Sequence, residues 1–461
     1  MALRRLLIAN RGEIAVRIVK ACFDEGIESV LAVSEPDRGS LGAQLADKVV
    51  CIGPAAAAES YLDLDRVLAA AKTTGCDALH PGYGFLSERP ELAAACEEEG
   101  VIFVGPSAAA MRRSGDKATA RALARELGVP INEGSEVIAS EADARRVAAA
   151  IGYPVLLKAA AGGGGRGMRM VESEAELAAA WAQAHGEAEA AFGDGRLFLE
   201  RYVRHARHVE VQVLGDAAGN VVHVGNRDCT LQRRYQKLVE EAPAHGLSAA
   251  LERELGEAAV RLIAALDYTG AATCEFLVDP ERESAGFLEI NARLQVEHPV
   301  SEVVTGVDVV REMLRIAGGE GLSVGQEEIA GSGHAIEVRI NAESPPREFA
   351  PTPGLVTQWA PPQGSDVRVD TACFPGWTVP PYYDSLLAKL ICSGPDREAA
   401  LARTRQALRH LRVQGVETTA GFAFDLLAHP DVVAGRVHTR WVEETFLPEW
   451  SDAREAAAEA A

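Results

Sequence analysis

TCEFLVDPERESAGFLEINARLQVEHPVSE, residues 273–302, holds two runs of strand-forming residues, 273–278 and 286–291, joined by a polar turn. That pattern predicts an antiparallel hairpin. Pairing the runs symmetrically about residue 282 or 283 sets Glu275 nearly opposite Glu289. Like charges directly across a strand pair repel unless a cation lies between them. Side chains alternate faces along a strand, so Asn291 and Arg293 share the face of Glu289. Two carboxylates and an amide oxygen make a hard-oxygen set suited to Mg²⁺ carrying nucleotide phosphates. A charged, solvated hairpin face is the alternative, and spacing leaves both readings standing.

Residues upstream add anion-binding candidates. EVQVLGD turns through 217–220 into VVHVGNRD, a second predicted hairpin. It leads into RDCTLQRRYQKLVEEAP (227–243), where Arg227, Arg233, Arg234 and Lys237 crowd together in a chain of net charge −21. Such a run is either a solvated face or an anion pocket. His205 and His208 stand at the start of a strand and point to opposite faces, so a hydrogen-bonding role for one of them fits better than a shared zinc. Further up, AGGGGRGMRM (161–170) satisfies G-x-G-x-x-G with Gly162, Gly164 and Gly167. A dinucleotide fingerprint needs a long helix after the glycines, yet 169–171 read as a strand, and Met168 stands where a Walker lysine would follow. What is left is a glycine turn, either idle or able to close its N–H groups over phosphates beside Lys158.

Residues 1–114 alternate apolar strands with amphipathic helices, the pattern of a doubly wound parallel sheet. Its first turn, ANRGEIAVRI, opens a helix at Gly12, and HPGYGFLSE (80–88) reads as an ordered loop at a strand's carboxyl end. A helical linker, 115–130, stops at Gly128 and Pro130. Residues 131–203 then form a small α+β unit around the glycine cluster, 204–450 a larger hairpin-rich unit, and 451–461 a frayed, flexible acidic tail.

Composition narrows the function classes. With 461 residues, 48% hydrophobic and 25% charged, the chain has the make-up of an ordinary globular protein. Its 67 Asp and Glu against 46 Lys and Arg argue against nucleic acid as a partner. No apolar run is long enough to span a membrane. The first residues lack a signal-peptide core, and the eight cysteines show no C-x-x-C pair, which together predict reduced thiols in a cytoplasmic protein.

Taken in order, ANRGEIAVRI, HPGYGFLSE, Lys117, KAAAGGGGRGMR, RHVEVQV, RDCTLQRRYQK, EINARLQVEHPVSE, HAIEVRINAE and PPYYDSLLAKL closely resemble the biotin carboxylases over roughly residues 3–450. The resemblance implies an ATP-grasp fold of α/β and α+β type: an N-terminal doubly wound parallel-sheet domain, a small glycine-loop lid domain and a C-terminal antiparallel-sheet domain. It implies that Lys117, Lys158, Gly164 and Gly165 hold ATP phosphates. Glu200, Arg201, Tyr202 and Val203 form the hinge that grips adenine, and His208 and Gln232 face the sugar side. Glu275 and Glu289 match Mg²⁺ ligands, with Asn291 on a second ion and Mn²⁺ as an alternative metal. Lys237, Arg293, Gln295, Val296 and Glu297 match a bicarbonate pocket. Arg339 matches a residue shared by bicarbonate and biotin, and Tyr83 lies where the family places biotin. The sequence departs from the family at Tyr235, a nucleotide-side position where histidine is usual, and at Arg201, where lysine is common.

The same resemblance implies ATP- and bicarbonate-dependent carboxylation of biotin through carboxyphosphate, with Glu297 as general base and Arg339 stabilising the biotin enolate. This is the first half-reaction of acetyl-CoA carboxylase, in fatty acid biosynthesis, or of a related acyl-CoA carboxylase. No Ala-Met-Lys-Met sequence occurs in the chain. Biotin is therefore expected on a separate biotin carboxyl carrier protein, with separate carboxyltransferase subunits and a homodimer of this chain. Two competing readings are a carbamoyl-phosphate synthetase-like ligase and a non-catalytic nucleotide-binding module. EINARLQVEHPVSE with HPGYGFLSE counts against the first, and the presence of Glu297, Lys237 and Arg339 against the second.

Overall fold

Residues 3–160 and 168–459 are described by the structure, a computed structural model. Near the N-terminus, β1 (Arg5–Ile8), β2 (Glu28–Ser34), β3 (Lys48–Gly53), β4 (Ala78–His80) and β5 (Ile102–Phe103) pair in parallel in the order β3-β2-β1-β4-β5. Parallel sheets are covered on both faces, and the strands read as near-continuous apolar runs for that reason: Leu6, Leu7, Ile8, Val30, Leu31 and Leu79 are all buried. Strand order reverses between β1 and β4, the switch point at whose carboxyl ends open α/β sheets bind ligands. There the loop before helix α1 (Gly12–Glu25) meets the loop after β4, and Asn10 Nδ2 donates to the carbonyls of Pro81 and Tyr83, each at 2.7 Å.

Strands β6 (Val155–Ala159), β7 (Met168–Val171) and β8 (Leu197–Arg201) form a small antiparallel sheet in the order β7-β6-β8. The helices Glu141–Ile151 and Glu174–Phe192 cover it, burying Ala144, Leu157, Leu177, Ala184 and Leu199 in a separate core. Gly164 and Gly165 lie outside the described residues.

The remaining strands build one antiparallel sheet of eight. Its order is β13 (Ser284–Asn291), β12 (Gly270–Asp279), β9 (Arg207–Gly215), β10 (Val221–Arg233), β11 (Gln236–Ala242) and β14 (His334–Asn341), then the strands Leu386–Gly394 and Val367–Thr371. The β12–β13 hairpin lies against the junction of the linker and the unit that follows it: Phe287 donates to the Pro130 carbonyl at 2.7 Å, and a Cβ on Gly286 would come within 1.9 Å of Asn132 Oδ1, so only glycine allows that approach. The β10–β11 turn is tighter still, with Arg234 and Tyr235 at φ 48° and 65° between the paired Arg233 and Gln236.

The chain's end departs from the expected frayed tail. A helix runs Leu447–Glu459, and Trp450 anchors it by donating to Asp425 at 2.8 Å and packing edge-on against Phe422. The alanines and glutamates that suggested a solvated tail are equally good helix formers once one turn is docked. All eight cysteines are free thiols, and only Cys51 is exposed. Among the described residues no helix is long and apolar enough to cross a membrane.

Candidate active site

Where the parallel sheet, the small sheet and the large sheet face one another, a cleft of about 1290 Å³ opens. Every candidate residue within the described part lines it: Tyr83, Lys117, Lys158, Glu200 to Val203, His208, Gln232, Tyr235, Lys237, Glu275, Glu289, Asn291, Arg293, Gln295 to Glu297, and Arg339.

The β12–β13 hairpin sets Glu275 and Glu289 as direct cross-strand partners, with a bulge immediately beyond them. Their charges are met by cations: Lys117 Nζ lies 2.8 Å from Glu289, and Lys237 Nζ 3.3 Å from Glu275. His208 Nε2 stands 3.0 Å from the other Glu275 oxygen, and Asn291 donates to Glu275 at 2.9 Å. Burial alone would raise the Glu275 carboxyl, but Lys237 and then His208 pull it well below the usual carboxylate range. Two opposed carboxylates and an amide oxygen fit Mg²⁺, and Glu275, Glu289 and Asn291 are the residues that would hold it.

Glu297 sits at the head of the helix His298–Thr305 and is fully buried. Lys237 reaches one of its oxygens at 2.5 Å and Arg339 the other at 3.0 Å. Against the upward push of burial, Lys237, Arg339 and Arg227 hold this carboxyl well below its ordinary value. Arg293 spans the same wall, donating to Gln295 at 2.7 Å and Asn291 at 3.1 Å while pairing with Glu88 at 3.0 Å. The Val296 carbonyl accepts from Lys389 at 2.8 Å. Tyr83, across the cleft, gives its hydroxyl to Glu13.

At the other end, Glu200 is buried and paired with Lys158 at 2.8 Å and with Arg121. Its carboxylate is thus engaged by cations. Arg201 lies within 4.0 Å of Asp279 and 3.6 Å of Glu133, and Tyr235 projects from the β10–β11 turn into solvent. His208, on β9, faces the cleft against Glu275, while His205, in the turn before that strand, is exposed beside Glu281.

Sequence reading passed over the layer beneath these residues. Arg227 has no exposed side-chain surface and is bonded to Glu210 at 2.5 Å, Gln212 at 2.8 Å and Ser301 at 3.1 Å. Glu210 also takes Lys237 at 2.7 Å, and Glu240 takes Arg339 at 2.6 Å. Breaking a buried pair from one side leaves its partner uncompensated, so Arg227→Leu should cost about 3–5 kcal/mol. Denaturant unfolding of the variant checks this, and a shift below about 1 kcal/mol would refute it.

Three family profiles match the chain: "Biotin carboxylase, N-terminal domain" over residues 2–111, "Carbamoyl-phosphate synthase L chain, ATP binding domain" over 116–324, and "Biotin carboxylase C-terminal domain" over 337–444. Biotin carboxylase 1 of Bacillus subtilis (strain 168) is 47% identical over 442 residues, 96% of this chain and 98% of that one. Among solved structures, a Campylobacter jejuni biotin carboxylase–ATP-type complex is 44% identical with a TM-score of 0.90, covering 96% of this chain and 98% of its own. The biotin carboxylase domain dimer of Hydrogenobacter thermophilus 2-oxoglutarate carboxylase, in complex with MgADP and bicarbonate, is 43% identical with a TM-score of 0.89 and the same coverage. The middle profile alone would suit a carbamoyl-phosphate synthetase, but those on both flanks and the near-full-length relatives do not. With identity and coverage of this extent, and with the ATP-grasp fold that these structures share, the chain belongs to the biotin carboxylase family.

Proposed function

We propose that this chain carboxylates biotin on a separate carrier protein, using ATP, bicarbonate and Mg²⁺, and that the candidate residues divide the work as the sequence reading assigned it. The observation that carries this reading is Glu297, buried and ionised, with Lys237 on one oxygen and Arg339 on the other. A base that is already ionised can take the proton of bicarbonate, and two adjacent cations are ready for the anions that replace it.

Phosphoryl transfer asks mainly for alignment and charge neutralisation. Lys117 and Lys158, both lining the cleft, supply two of the positive charges. Bound Mg²⁺ would add further neutralisation at Glu275, Glu289 and Asn291. Arg293 and Gln295 hold bicarbonate beside Glu297, so that its oxygen attacks the γ-phosphate to give carboxyphosphate and ADP. Lys237 and Arg339 hold Glu297 at low basicity in the structure, and moving either cation onto a bound anion returns basicity to the carboxylate. Carboxyphosphate then breaks down to CO₂ and phosphate, the phosphate takes the ureido proton of biotin, and the biotin nitrogen captures CO₂. Arg339 stabilises the enolate-like oxygen, and Tyr83 lies on the biotin side.

The unit division follows the same reading: 1–114 N-terminal, 115–130 linker, 131–203 lid, 204–450 catalytic. We place the chain in the cytoplasm as a homodimer working with a biotin carboxyl carrier protein and a carboxyltransferase. Acetyl-CoA carboxylase is the assigned context, and a keto-acid system is the alternative, since one similar structure is the biotin carboxylase domain of a 2-oxoglutarate carboxylase.

The purified chain should cleave ATP only with bicarbonate, carboxylate free biotin slowly and a biotinylated carrier much faster, and carry no biotin-sized mass adduct itself. Assays with radiolabelled bicarbonate and intact-mass measurement check each point. Carbamoyl phosphate formed from ammonia, or an adduct on the chain, would overturn the reading.

A further inference from the structure

One buried ion pair lies outside the roles assigned so far. Lys389, in the middle of the strand Leu386–Gly394, has no exposed side-chain surface, and its Nζ lies 3.2 Å from an oxygen of Glu13, itself almost wholly buried. Glu13 belongs to the first turn of α1, in the parallel-sheet unit, whereas Lys389 belongs to the large sheet. The pair therefore bridges the two bodies that wall the cleft.

Both members reach onward to residues that line the cleft. The second Glu13 oxygen accepts the hydroxyl of Tyr83, whose own carbonyl is held by Asn10 at 2.7 Å. Lys389 donates to the carbonyl of Val296 at 2.8 Å, one peptide before Glu297. A continuous line of contacts thus runs from Tyr83 through Glu13 and Lys389 to Val296.

The position is an expensive one for a lysine. Across the sheet Lys389 is the direct partner of Arg339 on one side and of Asp370 on the other. Two cations directly opposed on neighbouring strands destabilise a sheet. Asp370 is already engaged by Arg368 at 2.7 Å. Glu337, on the neighbouring strand, has two oxygens without hydrogen-bond partners, and burial pushes its carboxyl above the usual range, as it also pushes that of Glu13, whose charge contact is Lys389 itself. A role confined to stability would be served as well by apolar residues of similar volume, since replacing a buried ion pair with such residues is often neutral or stabilising.

We propose that Glu13 and Lys389 are positioning residues that lock the Tyr83 side of the cleft to the Val296–Glu297 segment, so that activation of bicarbonate and placement of biotin stay in register. This rests on the biotin carboxylase reading of the site. Neither residue touches substrate in this proposal; each acts through its neighbour. Freeing the two walls lets carboxyphosphate form and decompose before biotin is in place.

Lys389→Met, Glu13→Gln and the double variant test this. The single variants strand one polar partner in the interior, so the double variant, neutral and near-isosteric, is the informative one. It should melt within a few degrees of the wild type and still cleave ATP with bicarbonate. Its KM for bicarbonate should rise about tenfold and its carboxybiotin yield per ATP should fall about tenfold, because misplacement of a reacting group by about 1 Å is costly. A double variant that melts normally with wild-type KM and wild-type yield would overturn the proposal and leave the pair a structural one. A wild-type chain that made no carboxybiotin would overturn the functional reading, and this inference with it.

Discussion

Glu297→Ala is expected to lose bicarbonate-dependent ATP cleavage and biotin carboxylation together. If Glu297 takes the bicarbonate proton, its absence removes the nucleophile for phosphoryl transfer, and every later step starves. A general base contributes about 10²–10⁴-fold, so both rates should fall by at least the lower figure. The alanine also strands Lys237 and Arg339, which now share its two oxygens. Glu297→Gln keeps the volume and one acceptor, and serves to separate loss of the base from loss of the fold. Single-turnover ATP cleavage with and without bicarbonate, alongside a melting curve, decides the matter. Full bicarbonate-dependent cleavage in a folded Glu297→Gln would place the base elsewhere.

Glu289→Lys should abolish ATP turnover for a different reason. Glu289 pairs with Lys117 across the cleft mouth, and its side chain is about a third exposed, so the fold tolerates a change there. A lysine at that point sets two cations side by side and removes half of the opposed carboxylate pair. We expect a fall of about 10³-fold or more in ATP cleavage, equivalent to roughly 4 kcal/mol of transition-state stabilisation. Calorimetric titration should show nucleotide binding that no longer responds to added Mg²⁺. A variant that turned over MgATP at the wild-type rate would remove Glu289 from the metal assignment.

The opposed glutamates were legible from sequence because a hairpin's register follows from its turn, and a like-charged cross-strand pair is a conspicuous cost. The expectation that His205 and His208 do not share a metal also held, although His205 lies in the turn before β9 and not on the strand. Alternation hid the layer beneath. In RHVEVQV, Glu210 and Gln212 alternate with valines as they would on a half-solvated strand, yet every residue from Arg207 to Gly215 is buried. Both faces of β9 are covered, and alternation cannot tell a solvated polar face from one packed with partnered charges. Arg227, read from sequence only as part of a basic run, is instead a buried partner of Glu210 behind the cleft wall. Glu240, Glu13 and Lys389 escaped for a related reason: their partners come from other strands and from α1, and single-chain spacing carries no record of a contact between Glu13 and Lys389. At the chain's end, Ala/Glu-rich composition fits tail and helix equally, and docking of Trp450 decides between them.

The web around Arg227 has a consequence for how such a protein can change over time. Arg227 bonds Glu210, Glu210 bonds Lys237, Lys237 bonds Glu275 and Glu297, and Glu297 bonds Arg339. A substitution at any node leaves a neighbour's charge stranded in the interior, whereas paired substitutions that remove both partners do not. Single substitutions at these nodes therefore carry a stability cost in addition to any effect on catalysis. On this physics, the ionic lattice behind the wall is expected to change by coordinated exchange of both partners, whereas an exposed position such as Tyr235 can change singly.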